Sequence, residues 1–401
     1  LEVVAFDEET AEAKPFKVVN HNGLWTIPSE HDYPADGKDR LAKTAAGVIG
    51  IKKDDISTDN VSDYEACGVI DPLDEGATSL KGRGKRITIR GKNDQILADL
   101  ILGKEVPDRK GFHYVRLPDQ KRVYVSKVDL DISTDFNDWI EKDLLEVDRA
   151  AIDKVVLRDY SIDERTYAVD QRDTVNLENS GGSWKMKKVP PGKEIDTSVM
   201  SSMLGALDDL KIVGVRPKPA GLSEQLTRSG EGMEISQSDL LSLQSAGYYF
   251  ARNGALLSNE GEVEVGTRDG VLYTLRFGEI VSGQGEGSSG ASASAQNGKT
   301  GAGENRYLFI TTEFDPSGIP EPPKPANMDF QKKAQSDLTD ADKKNKELDE
   351  AHEAWEKRMK DGKKKVDDLN ARFAKWYYVI PADAYSKVHL NRAGLLKPKT
   401  S

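Results

Sequence analysis

The sequence predicts an α+β protein made of two tandem units, each a mostly antiparallel sheet covered by its helices on one face. The second unit carries a long helical insertion. Three observations lead there. A set of motifs occurs twice in the same order, which marks an internal duplication. Strand-like segments alternate apolar and polar residues and are joined by short turns, the pattern of antiparallel pairing. The length of 401 residues exceeds one ordinary compact domain and suits two.

In the first unit, residues 3–6 read as an opening strand. Trp25 in Gly23-Leu24-Trp25-Thr26-Ile27 follows a polar, Asn-containing stretch and marks the end of a hairpin. Asp36 is placed to accept backbone N–H bonds at a helix start, and Leu41, Ala45, Val48 and Ile49 then share one helical face. The motif Tyr64-Glu65-Ala66-Cys67-Gly68 follows. Ile87 and Ile89 alternate with Arg86, Thr88 and Arg90, Asn93-Asp94 turns, and a strand over 96–102 returns to end on Gly103. Further strands read Tyr114-Val115-Arg116-Leu117 and Val123-Tyr124-Val125. Asp135 is placed as N-cap of a helix holding Phe136, Trp139 and Ile140, and the unit closes on Leu144-Leu145.

The second unit repeats the order. Its opening strand is 152–157, so the boundary falls near 150, dividing the chain into 1–150 and 151–401. Gly182-Ser183-Trp184-Lys185-Met186 matches the first Trp hairpin. Asp196 caps a helix whose face is Val199, Met203, Leu207 and Leu210. The tetrad Ile212-Val213-Gly214-Val215 matches Val48-Ile49-Gly50-Ile51, and Leu243-Gln244-Ser245-Ala246-Gly247 matches the Cys67 motif. Val263 and Val265 form a strand, Asp269-Gly270 turns, and the return strand ends on Gly278. Tyr307-Leu308-Phe309-Ile310 and Tyr377-Tyr378-Val379 are expected to be neighbouring strands, and Leu395-Leu396 closes the copy. Both Trp25 and Trp184 are expected to be largely buried as core anchors. Two insertions interrupt this copy, a Gly/Ser-rich loop at 283–303 and a Pro-rich plus helical segment at 315–375.

Composition bounds function. With 68 acidic against 57 basic residues the net charge is -11, which excludes a nucleic-acid backbone as the main partner. No apolar run is long enough to cross a bilayer. The chain opens on Leu1 and not on methionine, so a preceding anchor segment is expected to be missing from it. The single cysteine, Cys67, excludes an intrachain disulfide and a cysteine-based zinc site, and its small apolar neighbours make it a buried hydrophobe.

Several motifs resemble chemistry without completing it. Gly298-Lys299-Thr300 ends like a phosphate-binding loop, but Ala293 stands where its first glycine belongs, so it reads as linker. Asp129-Leu130-Asp131-Ile132-Ser133 starts like a calcium loop, but Thr134 and Ile140 replace its turn glycine and chelating glutamate. The five histidines, His21, His31, His113, His352 and His389, show no metal-ligand spacing. The basic run Lys81-Gly82-Arg83-Gly84-Lys85-Arg86 reads as a solvated loop. Asn60-Val61-Ser62 is too short a pattern to count. No catalytic, cofactor-binding or metal-ligating residue is assigned.

The inserted arm carries the candidate partner contact. Leu348, Trp355, Met359, Val366, Leu369 and Phe373 recur at helical spacings and form an apolar stripe, with Gly362 on it as a point where the helix is expected to bend or break. Unbroken from 338 to 376, the helix would reach about 58 Å. Two readings stand: the stripe packs on its own domain, or it projects and offers Trp355 and Met359 to another subunit or protein.

The ordered set resembles the bacterial family known as domain of unknown function 4340. Carrying the resemblance are Trp25-Thr26-Ile27-Pro28, Leu102-Gly103, Tyr114-Val115-Arg116, Val123-Tyr124-Val125 and Asp138-Trp139. The second copy departs with Lys187 in place of Pro28 and Phe277 in place of Leu102. The resemblance implies an extracytoplasmic cell-envelope protein held to the bacterial membrane by an N-terminal segment, associated with ABC-transporter components. It supplies no activity, cofactor or catalytic residue. A non-catalytic binding or scaffold protein with a protein partner, such as membrane transporter subunits, is therefore expected. The alternatives are an envelope hydrolase with a site between the two units, or a surface structural protein assembling through its helical arm.

Overall fold

A computed structural model describes residues 1–21, 23–35, 38–128, 132–141, 143–163, 165–166, 168–227, 235–251, 254–281 and 304–399. Asp36, Asp129, Asp131, the Gly/Ser-rich loop at 283–303 and the Gly298-Lys299-Thr300 run lie outside the described residues. The fold is α+β, with antiparallel sheets and seven α-helices among the described residues. Two compact units divide between Lys142 and Asp143, ahead of the sequence boundary near 150. Leu144 and Leu145 thereby fall to the second unit, where the Arg372 guanidinium donates to the Asp143 carbonyl at 3.1 Å and pairs with Glu146.

The first unit runs β1 (Glu2–Asp7), β2 (Glu12–Lys17), β3 (Val19–His21), β4 (Leu24–Ile27), β5 (Tyr33–Pro34), α1 (Lys38–Ile49), β6 (Asp55–Thr58), α2 (Tyr64–Cys67), β7 (Lys85–Arg90), β8 (Ile96–Glu105), β9 (Phe112–Arg116) and β10 (Val123–Lys127). Its main sheet has the order β2-β1-β7-β8-β9-β10-β6, and β3-β4-β5 form a small separate sheet. Core clusters cover both faces, not one. Val3, Ile87, Leu100 and Val115 pack with Val48 of α1, while Ile101 and Val123 pack with Tyr64 and Cys67 of α2. Adjacent residues Leu100 and Ile101 point to opposite faces of β8, so a sheet buried twice loses strict alternation.

The second unit runs β11 (Ile152–Asp163), β12 (Ala168–Ser180), β13 (Ser183–Met186), β14 (Lys193–Ile195), α3 (Thr197–Asp208), β15 (Gly214–Pro217), α4 (Ala220–Thr227), α5 (Gln237–Ser245), β16 (Tyr248–Phe250), β17 (Leu256–Ser258), β18 (Glu262–Thr267) and β19 (Val271–Ile280), then continues after the loop. There follow β20 (Arg306–Phe314), α6 (Asp340–Phe373), β21 (Trp376–Ile380), α7 (Ala382–Val388) and β22 (Leu396–Pro398). Its main sheet has the order β13-β12-β11-β18-β19-β20-β21-β15. From β12 onward this is the first unit's order, strand for strand. The expected neighbours β20 and β21 pair, with Tyr307 opposite Val379.

A local detail accompanies that shared order. Gly68 and Gly247 both take left-handed backbone just after a helix, α2 and α5, with φ of 71° and 85°. A Cβ on Gly103 would come 2.5 Å from the Cys67 carbonyl oxygen, and one on Gly278 would come 2.0 Å from that of Ala246. Glycine is required at both strand crossings because backbone cannot yield.

Some expectations fail. Trp25 and Trp184 are only half-buried, because β4 belongs to a small sheet and β13 is the outermost strand of its own. The fully buried tryptophan is Trp139, 5.6 Å from Phe16 between ring centroids. Ile49 is exposed, and Thr44 takes its place on the inner face of α1 with Leu41 and Val48. Asp135 caps a single 3-10 turn, Phe136–Asp138, in place of a helix. Asp196 caps α3 as expected, accepting from the Ser198 and Val199 amides.

Candidate functional site

The apolar stripe of the arm is where the sequence points first. Helix α6 runs unbroken through Gly362, whose missing Cβ lets the helix lie against Phe314 and the Asp269 carbonyl, at 2.5 and 2.7 Å from where a Cβ would stand. Val366, Leu369 and Phe373 are buried in the second unit, so these three are corrected from partner contact to core. Apolar burial against β20 holds them there, and Phe373 meets Tyr378 edge-on. Leu348, Trp355 and Met359 remain half-buried. They lie where the Pro-rich segment runs back along the helix, with the Trp355 indole N–H donating to the Ile319 carbonyl at 3.1 Å. His352 pairs there with Glu321 at 3.2 Å.

The groups capable of chemistry are largely engaged in building backbone. The Arg83 guanidinium donates to the carbonyls of Asp71, Asp74, Ala77 and Ser79, and Arg86 pairs with Asp71 and Asp99. Within the basic run at 81–86, Arg83 and Arg86 are thus internal braces, while Lys81 and Lys85 are exposed. Lys218 is buried, with its ammonium donating to the Phe373 carbonyl at 2.9 Å and lying 4.0 Å from the Phe309 ring centroid. Burial pushes its pKa well down, while the last turn of α6, the negative end of a helix, receives the cation. Glu262 is held by Arg158, Arg276 and the Tyr160 hydroxyl. Burial raises the Tyr160 phenol to about 12. Burial likewise raises the Cys67 thiol, the inert arrangement. His389 stacks on Tyr385 at 4.7 Å, and burial lowers its pKa. Among the described residues, no group of three or more His, Cys, Asp or Glu could hold a metal ion.

One open groove lies in the second unit, about 810 Å³ in volume, where β13, β14 and α3 converge. Its apolar lining is Trp184, Met186, Val189, Ile195, Met200 and Leu204. The local sequence makes it. Gly181 and Gly182, both at positive φ, turn the β12–β13 hairpin, whose end pair is Ser180 and Ser183. Beyond Met186 the chain leaves the sheet. Arg392 fixes that exit by donating to the Lys187 and Lys188 carbonyls while forking onto the Asp173 carboxylate, which the guanidinium holds below the usual carboxylate range. Strand β14 then pairs with β22, and α3 contributes Met200 and Leu204.

Arg149, Lys185 and Lys193 line the same groove. Its one acid, Glu194, faces Lys397 at 3.9 Å. Thioethers and an indole beside flexible cations form an open, adaptable and mainly apolar surface. The sequence did hold a signal for it: three of the six methionines fall at 186, 200 and 203, two of them on this groove. No helix among the described residues is long and apolar enough to cross a membrane.

No curated protein and no solved structure matches the chain. One family profile does, over residues 25–225, from the Trp25 strand to α4. That match spans half of the sequence, so the chain belongs to the family described as Domain of unknown function (DUF4340).

Proposed function

We propose that this protein is a non-catalytic binding module of the cell envelope, an accessory component of an ABC-type membrane transport complex, built from two copies of one α+β unit. The observation that carries the binding reading is the groove of Trp184, Met186 and Met200, an indole and two thioethers in an open apolar concavity. The corresponding strand orders and the glycine crossings at Gly103 and Gly278 support duplication. Extracytoplasmic location, membrane anchoring and transporter association rest on the family resemblance. The half-buried Leu348, Trp355 and Met359 support a second contact on the arm.

The test is co-purification from membranes of the full-length protein, wild type against Trp184→Asp and against Trp355→Asp. The expected result is recovery of integral transporter subunits by the wild type, reduced about tenfold or more by Trp184→Asp. Equal recovery by all three proteins, each shown to be folded, overturns the groove and the arm as contacts. Recovery of no transporter subunit overturns the accessory role.

A further inference from the structure

We infer that the groove between β13 and β14 takes an acidic, extended segment of a protein partner, which adds to β13 as one more strand. The inference rests on the binding-module reading above and names its occupant.

The first support is the free edge. Among the described residues, strand β13 is outermost in its sheet and pairs only with β12. The Lys187 amide donates to the Asn176 carbonyl at 3.1 Å, which sets the phase of this antiparallel pair. Hydrogen-bonded positions alternate, so residues 183, 185 and 187 bond inward and the backbone groups of Trp184 and Met186 turn away from β12. Both of those residues also line the groove. A row of outward amides and carbonyls is a template for strand addition.

The second support comes from the first unit, where the corresponding edge is filled. Strand β4, which carries Trp25, pairs with β3 on one side and β5 on the other. There Ile27 lies opposite Tyr33, and the Ala35 amide donates to the Trp25 carbonyl at 2.8 Å. The segment in β5's sequence position in the second unit is β14. It pairs with β22 instead, Ile195 opposite Leu396, and the groove opens between it and β13. A third strand is thus accommodated at this edge in one unit and withdrawn from it in the other.

The third support is charge. The chain carries a net charge of -11, yet Arg149, Lys185 and Lys193 line this groove, and Glu194 faces Lys397. No ion pair is recorded for those three cations among the described residues. They complement an acidic strand whose alternate, apolar side chains enter the floor of Met186, Met200 and Leu204.

The test uses the full chain and a fluorescein-labelled hexapeptide of alternating leucine and glutamate, read by anisotropy. Two control peptides accompany it, one with lysine for glutamate and one N-methylated on alternate amides. The expected result is binding of the acidic peptide that weakens as salt rises. Affinity should fall about tenfold or more in Lys185→Glu/Lys193→Glu, and the N-methylated peptide should be lost. Both lysines are exposed, so the variant folds, as circular dichroism and an unchanged melting temperature would verify. Equal affinity for the acidic and basic peptides, or an acidic peptide indifferent to the double substitution, overturns the inference. If the peptide fails while co-purification of transporter subunits still depends on Trp184, only the acidic-strand inference falls. If co-purification fails while the peptide binds as expected, the accessory role falls and this inference stands.

Discussion

Gly103 and Gly278 illustrate how far single residues could be read. Their correspondence was visible as position in a repeated order, but the reason is visible only in space, where each strand crosses a carbonyl at a distance no Cβ tolerates. Lys218 is the opposite case. Nothing in its neighbours Pro217 and Pro219 marks it as buried, and its role depends on Phe373, which is remote in sequence and supplies the carbonyl. Asp342 gives the pH prediction at this scale. The Lys333 ammonium at 2.7 Å, together with the Thr339 hydroxyl and amide, holds its carboxyl down at about 2. A carboxyl depressed in the folded state contributes stability that is complete above the unfolded value of about 4 and is lost as pH falls through about 2. Thermal melts of wild type and Asp342→Asn should therefore differ at about pH 6 and converge between about pH 4 and 2. A gap that stays constant through that window would show the carboxylate is not the source.

Helix α6 was legible as an element, while the choice between packing on its own domain and projecting was not. Its 3.6-residue stripe and the capping box of Thr339 and Asp342 are local, so its existence follows from sequence alone. Which half of the stripe is core depends on β20. The Asn370 side chain there replaces a strand partner: its amide oxygen accepts from the Thr312 N–H at 2.9 Å, and its nitrogen donates to the Thr312 carbonyl at 2.8 Å. Strand β21 reaches only to Leu308 along β20, so without Asn370 both backbone groups of Thr312 would be buried and unpaired. Deleting 328–374 should accordingly unfold the second unit and not leave it intact, read as loss of cooperative melting. Asn370→Ala should cost about 1–3 kcal/mol in urea denaturation. Leu348→Ala, half-buried on the other half of the helix, should cost less than about 1 kcal/mol. If Asn370→Ala is neutral, the side-chain ladder has no energetic weight.

For the whole molecule, the first unit has its own core on both faces of its sheet, with Trp139, Phe16, Ile87 and Ile101 all essentially inaccessible. Residues 1–142 expressed alone should fold and unfold in one cooperative transition, seen as coincident near- and far-UV circular dichroism melts. A fragment that lacks near-UV signal would show that its packing needs the rest of the chain. The α+β class, most of the strands and the motif order followed from the chain itself, because alternation, turn residues and helix caps act over a few neighbours. Three things were settled by tertiary packing. Both sheet faces are buried, which the alternation of polar and apolar residues concealed in β7, where Thr88 is buried between Ile87 and Ile89. The tryptophans of the two hairpins are half-exposed, because β4 lies in a small sheet apart from the main one and β13 is the outermost strand of its own. The groove exists because β14 turns to β22 near the chain's end, and no local pattern in 183–195 reports a choice of partner about 200 residues away.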